Sequence, residues 1–424
     1  MIGQAQVLTL DSCFCLAMKN NLRLKNAELE TERARQVRYQ ALTKYFPNIS
    51  LQAFSFHALQ PLVQIGAQDI INGISNTDLQ EGMNKLYEDY GKDADLDEIF
   101  HFFQYGVTAG ATAVQPVFTG GQIVNGNRLA KLGVQSAELQ AKITEREVMH
   151  EVEETYLIIV GLENKKATLQ AVTDLLDTLT ADVNTAIAAG LTTKNDLLKI
   201  ELKRRETESQ QLQLENGIRL AKQALCRSIG REFSDSIILV DDTTYNIKSD
   251  SMPRPEHELL ELSVRAEQLK KKMEIGKALP QIAVGGTYAY TRFFQDKNQH
   301  NGMLFATVQV PLTQWWETGH KIKEMNLQTE IARNTQQHIN EQMELQLIQA
   351  EQEVIVAEKQ LDLCHKTIEN AEENLRMARI NYEAGMLPIS DLLEARTLLV
   401  KAENDLTDAR LQLHLAKRKL EECK

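Results

Sequence analysis

The side chains suited to chemistry are few and poorly spaced for it. His150-Glu151-Val152-Glu153-Glu154 opens like a zinc-protease helix, where two histidines four apart hold the metal and a glutamate activates water. Position 154 is glutamate, so the second ligand is missing. The pairs Gly120-Gly121 and Gly285-Gly286 lack the surroundings of a phosphate loop, and no Ser/His/Asp set has a recognisable framework. The nine histidines are dispersed and read as surface residues. Cysteines stand at 13, 15, 226, 364 and 423, an odd and scattered set that makes no disulfide framework. Cys13-Phe14-Cys15 has no matching Cys/His pair to complete a zinc site, and no apolar stretch precedes Cys13 as at a lipid attachment site. All five read as small apolar residues on helices. The expectation is no enzyme, no cofactor and no metal.

The elements are more informative. The chain has 424 residues, 43% hydrophobic and 25% charged, with only 8 prolines, which argues against disorder. A net charge of -12 with no basic block disfavours nucleic acid as a partner. No window nears eighteen consecutive apolar residues, so no helix is predicted to span a bilayer. Transmembrane strands remain open, because their alternating signal is far weaker. Met1 to Gln6 lacks a basic segment followed by an apolar core. Either the protein is cytosolic, or an export signal has been removed.

From Leu347 a seven-residue period sets in. Leu347, Val354, Leu361, Ile368, Leu375 and Tyr382 form one row, and Ala350, Ala357, Cys364, Ala371 and Ala378 another. The period resumes with Leu392, Leu399, Leu406, Leu413 and Leu420, beside Ala395, Ala402, Ala409 and Ala416. These are coiled-coil seams in which small residues let helix axes approach closely. Between them, Gly385 can end a helix, Pro388 cannot continue one, and Ser390 or Asp391 can cap the next. Two antiparallel helices are therefore predicted, joined by a tight turn. The first, from about His320, would reach about 95 Å.

The same turn occurs at Ala189-Gly190-Leu191-Thr192-Thr193-Lys194-Asn195-Asp196-Leu197-Leu198. Its offset to the later turn is shared by Pro116 and Pro311, which predicts an internal duplication. The first repeat is assigned to 1–230, a linker to 231–255 and the second repeat to 256–424. Helices are expected near 8–44, 121–188 and 192–228, then near 256–278, 320–384 and 390–423. The turns fall at 189–196 and 384–391. In the first repeat polar residues interrupt the seam: Lys166, Thr173 and Thr180, then Arg204, Thr207 and Gln211. A dry polar seam would be costly, so part of this surface is expected to face water or a partner.

After Pro280 the period changes to two. Ile282, Val284, Tyr288, Tyr290 and Phe294 precede a polar loop, and Leu304, Ala306, Val308, Val310 and Leu312 follow it, giving a strand pair over 280–313. The first repeat offers Ile49, Leu51 and Ala53, then Phe103, Tyr105, Val107, Ala109, Ala111 and Ala113. Phe46, Phe118, Trp315 and Trp316 stand at strand ends, as at the boundaries of an outer-membrane barrel. Four strands cannot close, and an open edge in lipid would strand backbone groups. Two chains would give eight strands and a filled interior, whereas three would give twelve and a passage. The alternative is an ordinary sheet packed on helices. An insertion, 58–101, carries Asp69, Asp78, Glu81, Glu88, Asp89, Asp93, Asp95, Asp97 and Glu98 and reads as an acidic, solvent-facing loop on the extracellular side.

The duplicated Gly-x-x-x-x-x-Asp-Leu-Leu turns, and the order proline, strand, strand, proline, glycine, long helix, resemble the TolC-like outer-membrane efflux proteins of Gram-negative bacteria. The likeness runs from Leu8-Thr9-Leu10 and Ala17-Met18-Lys19-Asn20-Asn21 to the last helix. It implies a mainly α chain with a β-barrel part: a trimeric α-helical tunnel of long antiparallel coiled-coil helices, below a shared 12-stranded transmembrane barrel. The linker, with Ile237-Ile238-Leu239-Val240 as a short strand, would join an equatorial region. The location implied is the outer membrane, with a large periplasmic part and the signal peptide removed. The function implied is that of an exit duct for a tripartite efflux pump or type I secretion system. Its partners would be outer-membrane lipid, a periplasmic adaptor (membrane fusion protein) and, through it, an inner-membrane transporter. Adaptor docking would fall on Gly190, Leu191, Thr192, Gly385, Met386, Leu387 and Ser390. The family's acidic gate aligns with Asp391 and Glu394, spaced to share one helical face. Three chains would then gather six carboxylates, which repel one another and attract cations. Read without the family, Asp391 is a helix cap and Glu394 an exposed charge. Asp196 aligns with a position that links the closed helices, and reads first as an N-cap. Pro388 and Lys194 depart from the family pattern. The alternative function is a periplasmic coiled-coil scaffold or adaptor without a pore.

Overall fold

The computed structural model describes residues 6–59, 63–91, 100–102, 105–190, 192–233, 237–240, 254–292 and 298–424. Leu191, Phe103, Phe294, Asp93, Asp95, Asp97, Glu98 and linker positions 241–253 lie outside the described residues. The fold is mainly helical with antiparallel strands, and it divides into two compact units.

One unit comprises Val37–Lys131 and Glu267–Gln328. Its centre is a four-stranded antiparallel sheet of β2 (Asn48–His57), β5 (Tyr105–Thr119), β7 (Gln281–Arg292) and β8 (Asn298–Gln309), in that spatial order. Alternation sorts the side chains into two faces. Register places Ile49, Ala113, Gly286 and Leu304 in one row and Leu51, Ala111, Tyr288 and Gly302 in the next. On the other face lie Ser50, Thr112, Thr287 and Met303. There the hydroxyls of Thr112 and Thr287 are 3.1 Å apart. The apolar face lies open: Leu51 is 82% exposed and Leu304 90%.

Gly120 and Gly121, both at positive φ, turn β5 into the helix that follows. A Cβ on Gly120 would overlap the backbone carbonyl of Gly276, and one on Gly276 would meet that of Gly120. Only two glycines permit this approach. The Trp315 indole N–H donates to the Ala278 carbonyl at 2.9 Å. The insertion is more ordered than a loop. It holds a small hairpin of β3 (Val63–Ile65) and β4 (Phe100–Phe102), and helices α3 (Ala67–Asn72) and α4 (Thr77–Leu86). Ala67, Ile71 and Tyr87 form its core, while Asp69, Asp78, Glu81, Glu88 and Asp89 stay exposed.

The other unit comprises Met1–Gln36, Leu132–Ala266 and Thr329–Lys424. The helix expected over 8–44 is two helices, α1 (Leu10–Asn20) and α2 (Leu22–Thr43). Asn21 breaks it, because its side-chain oxygen accepts from the Arg23 and Leu24 amides and caps a new start. The long helices are α5 (Gln122–Ala188, 67 residues) and α8 (Gln314–Glu383, 70 residues). The second begins six positions before the predicted His320. After each turn come α6 (Lys194–Ser228) and α9 (Ile389–Cys423), while α7 (Pro255–Lys277) precedes the second strand pair. The short strand expected over 237–240 forms as β6 (Ile237–Leu239) and pairs in parallel with β1 (Gln6–Leu8). Tyr156 on α5 reaches this pair: its hydroxyl donates to the Val240 carbonyl at 2.7 Å and lies 3.2 Å from that of Leu8.

The α8 and α9 seams pack as their spacing predicts. Ala350, Ala357, Cys364, Ala371 and Ala378 are buried, as are Ala395, Ala402, Ala409 and Ala416. The polar residues of α5 and α6 satisfy one another. Gln211 Nε2 donates to Thr173 Oγ1 at 3.1 Å, Lys166 pairs with Glu215 at 2.8 Å, and Arg204 with Asp177 at 3.4 Å. Thr207, only 2% exposed, donates to the Lys203 carbonyl on its own helix. Lys166 and Arg204 stay exposed, as expected of a surface that partly faces water, while Thr173 and Gln211 pair across the seam and Thr207 is buried. Cys13, Cys226, Cys364 and Cys423 are buried thiols, and Cys15 is an exposed one. Among the described residues, no helix is long and apolar enough to cross a membrane.

Candidate functional site

The two helix turns are built alike. Gly190 has φ of +73° and Gly385 of +70°, the left-handed conformation that ends a helix. At the second turn the Gly385 amide donates to the Tyr382 carbonyl at 2.9 Å and the Met386 amide to that of Asn381 at 2.8 Å. This paired pattern closes the end of α8 without side-chain help. The start of α9 departs from expectation. Its N-cap is Pro388, which has no side-chain acceptor, so neither Ser390 nor Asp391 is the cap. They stand second and third in the helix, where the Asp391 amide donates to the Pro388 carbonyl at 3.1 Å. The Ser390 hydroxyl donates to Asp391 Oδ1 at 3.0 Å.

Asp196 is likewise not a cap: Thr193 holds that place on α6. Asp196 accepts from the Thr192 hydroxyl at 2.7 Å and lies 3.4 Å from Lys199 Nζ. The Thr192 hydrogen bond first, then Lys199, hold its carboxyl below the usual value. Tyr382, the last member of the large-residue row on α8, is within electrostatic reach of both Asp196 and Asp182. Burial, then those two carboxylates, push its phenol above the ordinary value.

Four helices share the core beneath the turns. Val172, Leu176, Leu179 and Val183 of α5 meet Ile200 of α6, Ala378 of α8, and Ile389, Leu392 and Leu393 of α9. Leu387 packs against it, whereas Met386 is 72% exposed. The structure thus brings the two turns onto one core. Asp391 and Glu394 both stand exposed on α9, with Leu392 and Leu393 buried between them. Tyr382 is the functional candidate that sequence reasoning passed over. The one available signal was an aromatic ring closing an otherwise aliphatic row.

Residues 257–423 match the family model described as outer membrane efflux protein. Over that span the resemblance read from the sequence holds. Beyond that span the likeness is one of fold. The outer membrane channel CmeC of Campylobacter jejuni superposes with a TM-score of 0.78 at 14% identity, covering 98% of this chain and 85% of that one. The outer membrane protein VceC of Vibrio cholerae gives 0.77 at 13%, covering 98% and 95%. The open state of the MtrE outer membrane channel of Neisseria gonorrhoeae gives 0.77 at 13%, covering 98% and 88%. No curated protein sequence matches. At such identities the superpositions establish a shared fold, that of the TolC-like channels.

Proposed function

We propose that this protein is the outer-membrane exit duct of a tripartite efflux pump or type I secretion system. It passes small molecules or proteins outward from a periplasmic adaptor and inner-membrane transporter. The observation that carries this reading is the sheet. One face exposes Ile49, Leu51, Tyr288, Leu304 and Val308, while the opposite face mixes Ser50, Thr112 and Thr287 with Phe54, Met303 and Phe305. A sheet whose exposed aliphatic residues fall mainly on one face suits a wall against lipid. Its outer strands, β2 and β8, are 10 and 12 residues long, enough to cross a bilayer when tilted. Lipid leaves no backbone group unpaired, so β8 of one copy joins β2 of the next, and three copies close a twelve-stranded barrel.

The repeated order of long helix, left-handed glycine, turn and helix supports a duplication, with repeats at 1–230 and 256–424 about a linker at 231–255. On this reading the insertion is extracellular, and the turns at 189–196 and 384–391 form a periplasmic tip. Gly190, Leu191, Thr192, Gly385, Met386, Leu387 and Ser390 dock the adaptor. Asp391 and Glu394 from three copies ring the opening, and Asp196, with Tyr382, holds the closed state. The chain conducts rather than catalyses; the inner-membrane partner supplies the energy.

Cysteine pairs on facing edges of β2 and β8 test the assembly. Oxidation should yield a ladder on denaturing gels that ends at three chains and forms only in detergent or lipid. A protein that stays monomeric and soluble in plain buffer would instead be a scaffold without a pore.

A further inference from the structure

A cavity of about 590 Å³ opens between α5, α6 and α9, lined by stretches within Leu162–Leu176, Lys203–Gly217 and Leu393–Asp405. Its floor is apolar, with Leu169, Val172, Leu176 and Val400. Its charged groups are mostly cationic: Lys165, Lys203, Arg396 and Lys401, against the single carboxylate of Asp405. Lys165 is held by Asp408 at 2.6 Å and Lys203 by Glu206 at 3.2 Å. Arg396 differs. Its Nε is buried and has no hydrogen-bond partner among the described residues, and the Asn404 side-chain oxygen is buried and unpartnered too. A buried donor of a guanidinium left unpaired beside an apolar floor is costly unless something pairs it.

From these features we infer that the cavity binds an amphipathic organic anion, with its apolar body on the leucine floor and its anionic group on Arg396. Each lining stretch is about 20 Å long at 1.5 Å per residue. A volume of about 590 Å³ along that length accommodates a hydrocarbon chain or fused rings. Lys401 lines the same cavity as a second cation, and Asn404 can accept from a hydroxyl on the ligand.

The test is photolabelling of the full-length protein in neutral-lipid nanodiscs with a diazirine derivative of dodecanoate, mapped by peptide mass spectrometry. Label should fall within Leu162–Leu176 and Leu393–Asp405. Dodecanoate or cholate should compete, and dodecanol should not. Arg396→Gln should weaken competition at least about tenfold, the scale of one charge-assisted contact, and Arg396→Lys should restore part of it. Competition by phosphatidylglycerol as well would identify the anion's source as lipid; competition by the free anions alone would identify a soluble amphiphile. Label confined to the strands, equal competition by dodecanol, an unchanged Arg396→Gln protein, or displacement only by an acidic helical peptide would each overturn the assignment.

Discussion

At the scale of single residues, the turns combine charge with restraint. Asp196 is held by Thr192 and Lys199, while Asp391 and Glu394 are left exposed on α9. If the exposed pair rings the opening, Asp391→Ala with Glu394→Ala should raise single-channel conductance in planar bilayers and weaken block by multivalent cations. Unchanged conductance would remove both from the gate. For Asp196 the sign follows from its lowered pKa. A carboxyl depressed in the folded state contributes stability that is full above its unfolded value and lost as pH falls through the folded one. Thr192→Val removes the main cause, so acid should loosen the first turn at higher pH than in the wild type. Pepsin cleavage within 189–199, followed from pH 5 to pH 2, measures this. Asp196 and Asp391 stood out because a short repeated motif carries them, whereas Glu394 came from the family resemblance alone. Tyr382 was not, because the seven-residue period already explained it, and only the fold brings α6 and α8 side by side there.

At the scale of elements, glycine geometry decides two places. Gly385 at +70° meets no neighbour, so its requirement is conformational. Gly385→Val should cost about 1–3 kcal/mol of local stability and, if this turn docks an adaptor, impair export, read as drug susceptibility or cargo secretion. Normal export would count against the turn as a docking site. Gly120 is crowded by Gly276 as well as left-handed. Gly120→Ala should therefore cost about 2–4 kcal/mol and lower the thermal midpoint of the strand signal in circular dichroism. Helix extents were readable to within a few residues, since seven-residue rows run nearly unbroken through α8 and α9. The caps were not. Pro388 stands at the N-cap of α9, where a side-chain cap at Ser390 or Asp391 was expected. Part of the polar seam does face water, at Lys166 and Arg204, but its internal pairing was not readable. Thr173 and Gln211 lie 38 positions apart, and nothing local reveals that they pair.

At the scale of the whole molecule, the prediction concerns closure. A barrel built from several chains resists detergent until heated. The protein should therefore migrate as an oligomer in unheated dodecyl sulfate samples and as a 48.0 kDa chain after boiling. A single unheated band at the monomer position would refute shared closure. The alternating strands were legible in sequence. Which strands lie at the edges was not, because the order β2, β5, β7, β8 depends on pairing between distant segments.

The parallel pair of β1 and β6 bears on how the polypeptide acquires its structure. Gln6 lies opposite Ile237, so the first strand waits for about 230 further residues before its partner exists. Synthesis proceeds from the amino end, and Tyr156, which clasps both strands, also arrives long after β1. The first strand therefore stays unpaired until residues 237–239 are in place. Interrupting synthesis before position 240 should leave it open to proteases and chaperones, and this late ligature is where assembly of the helical unit becomes committed.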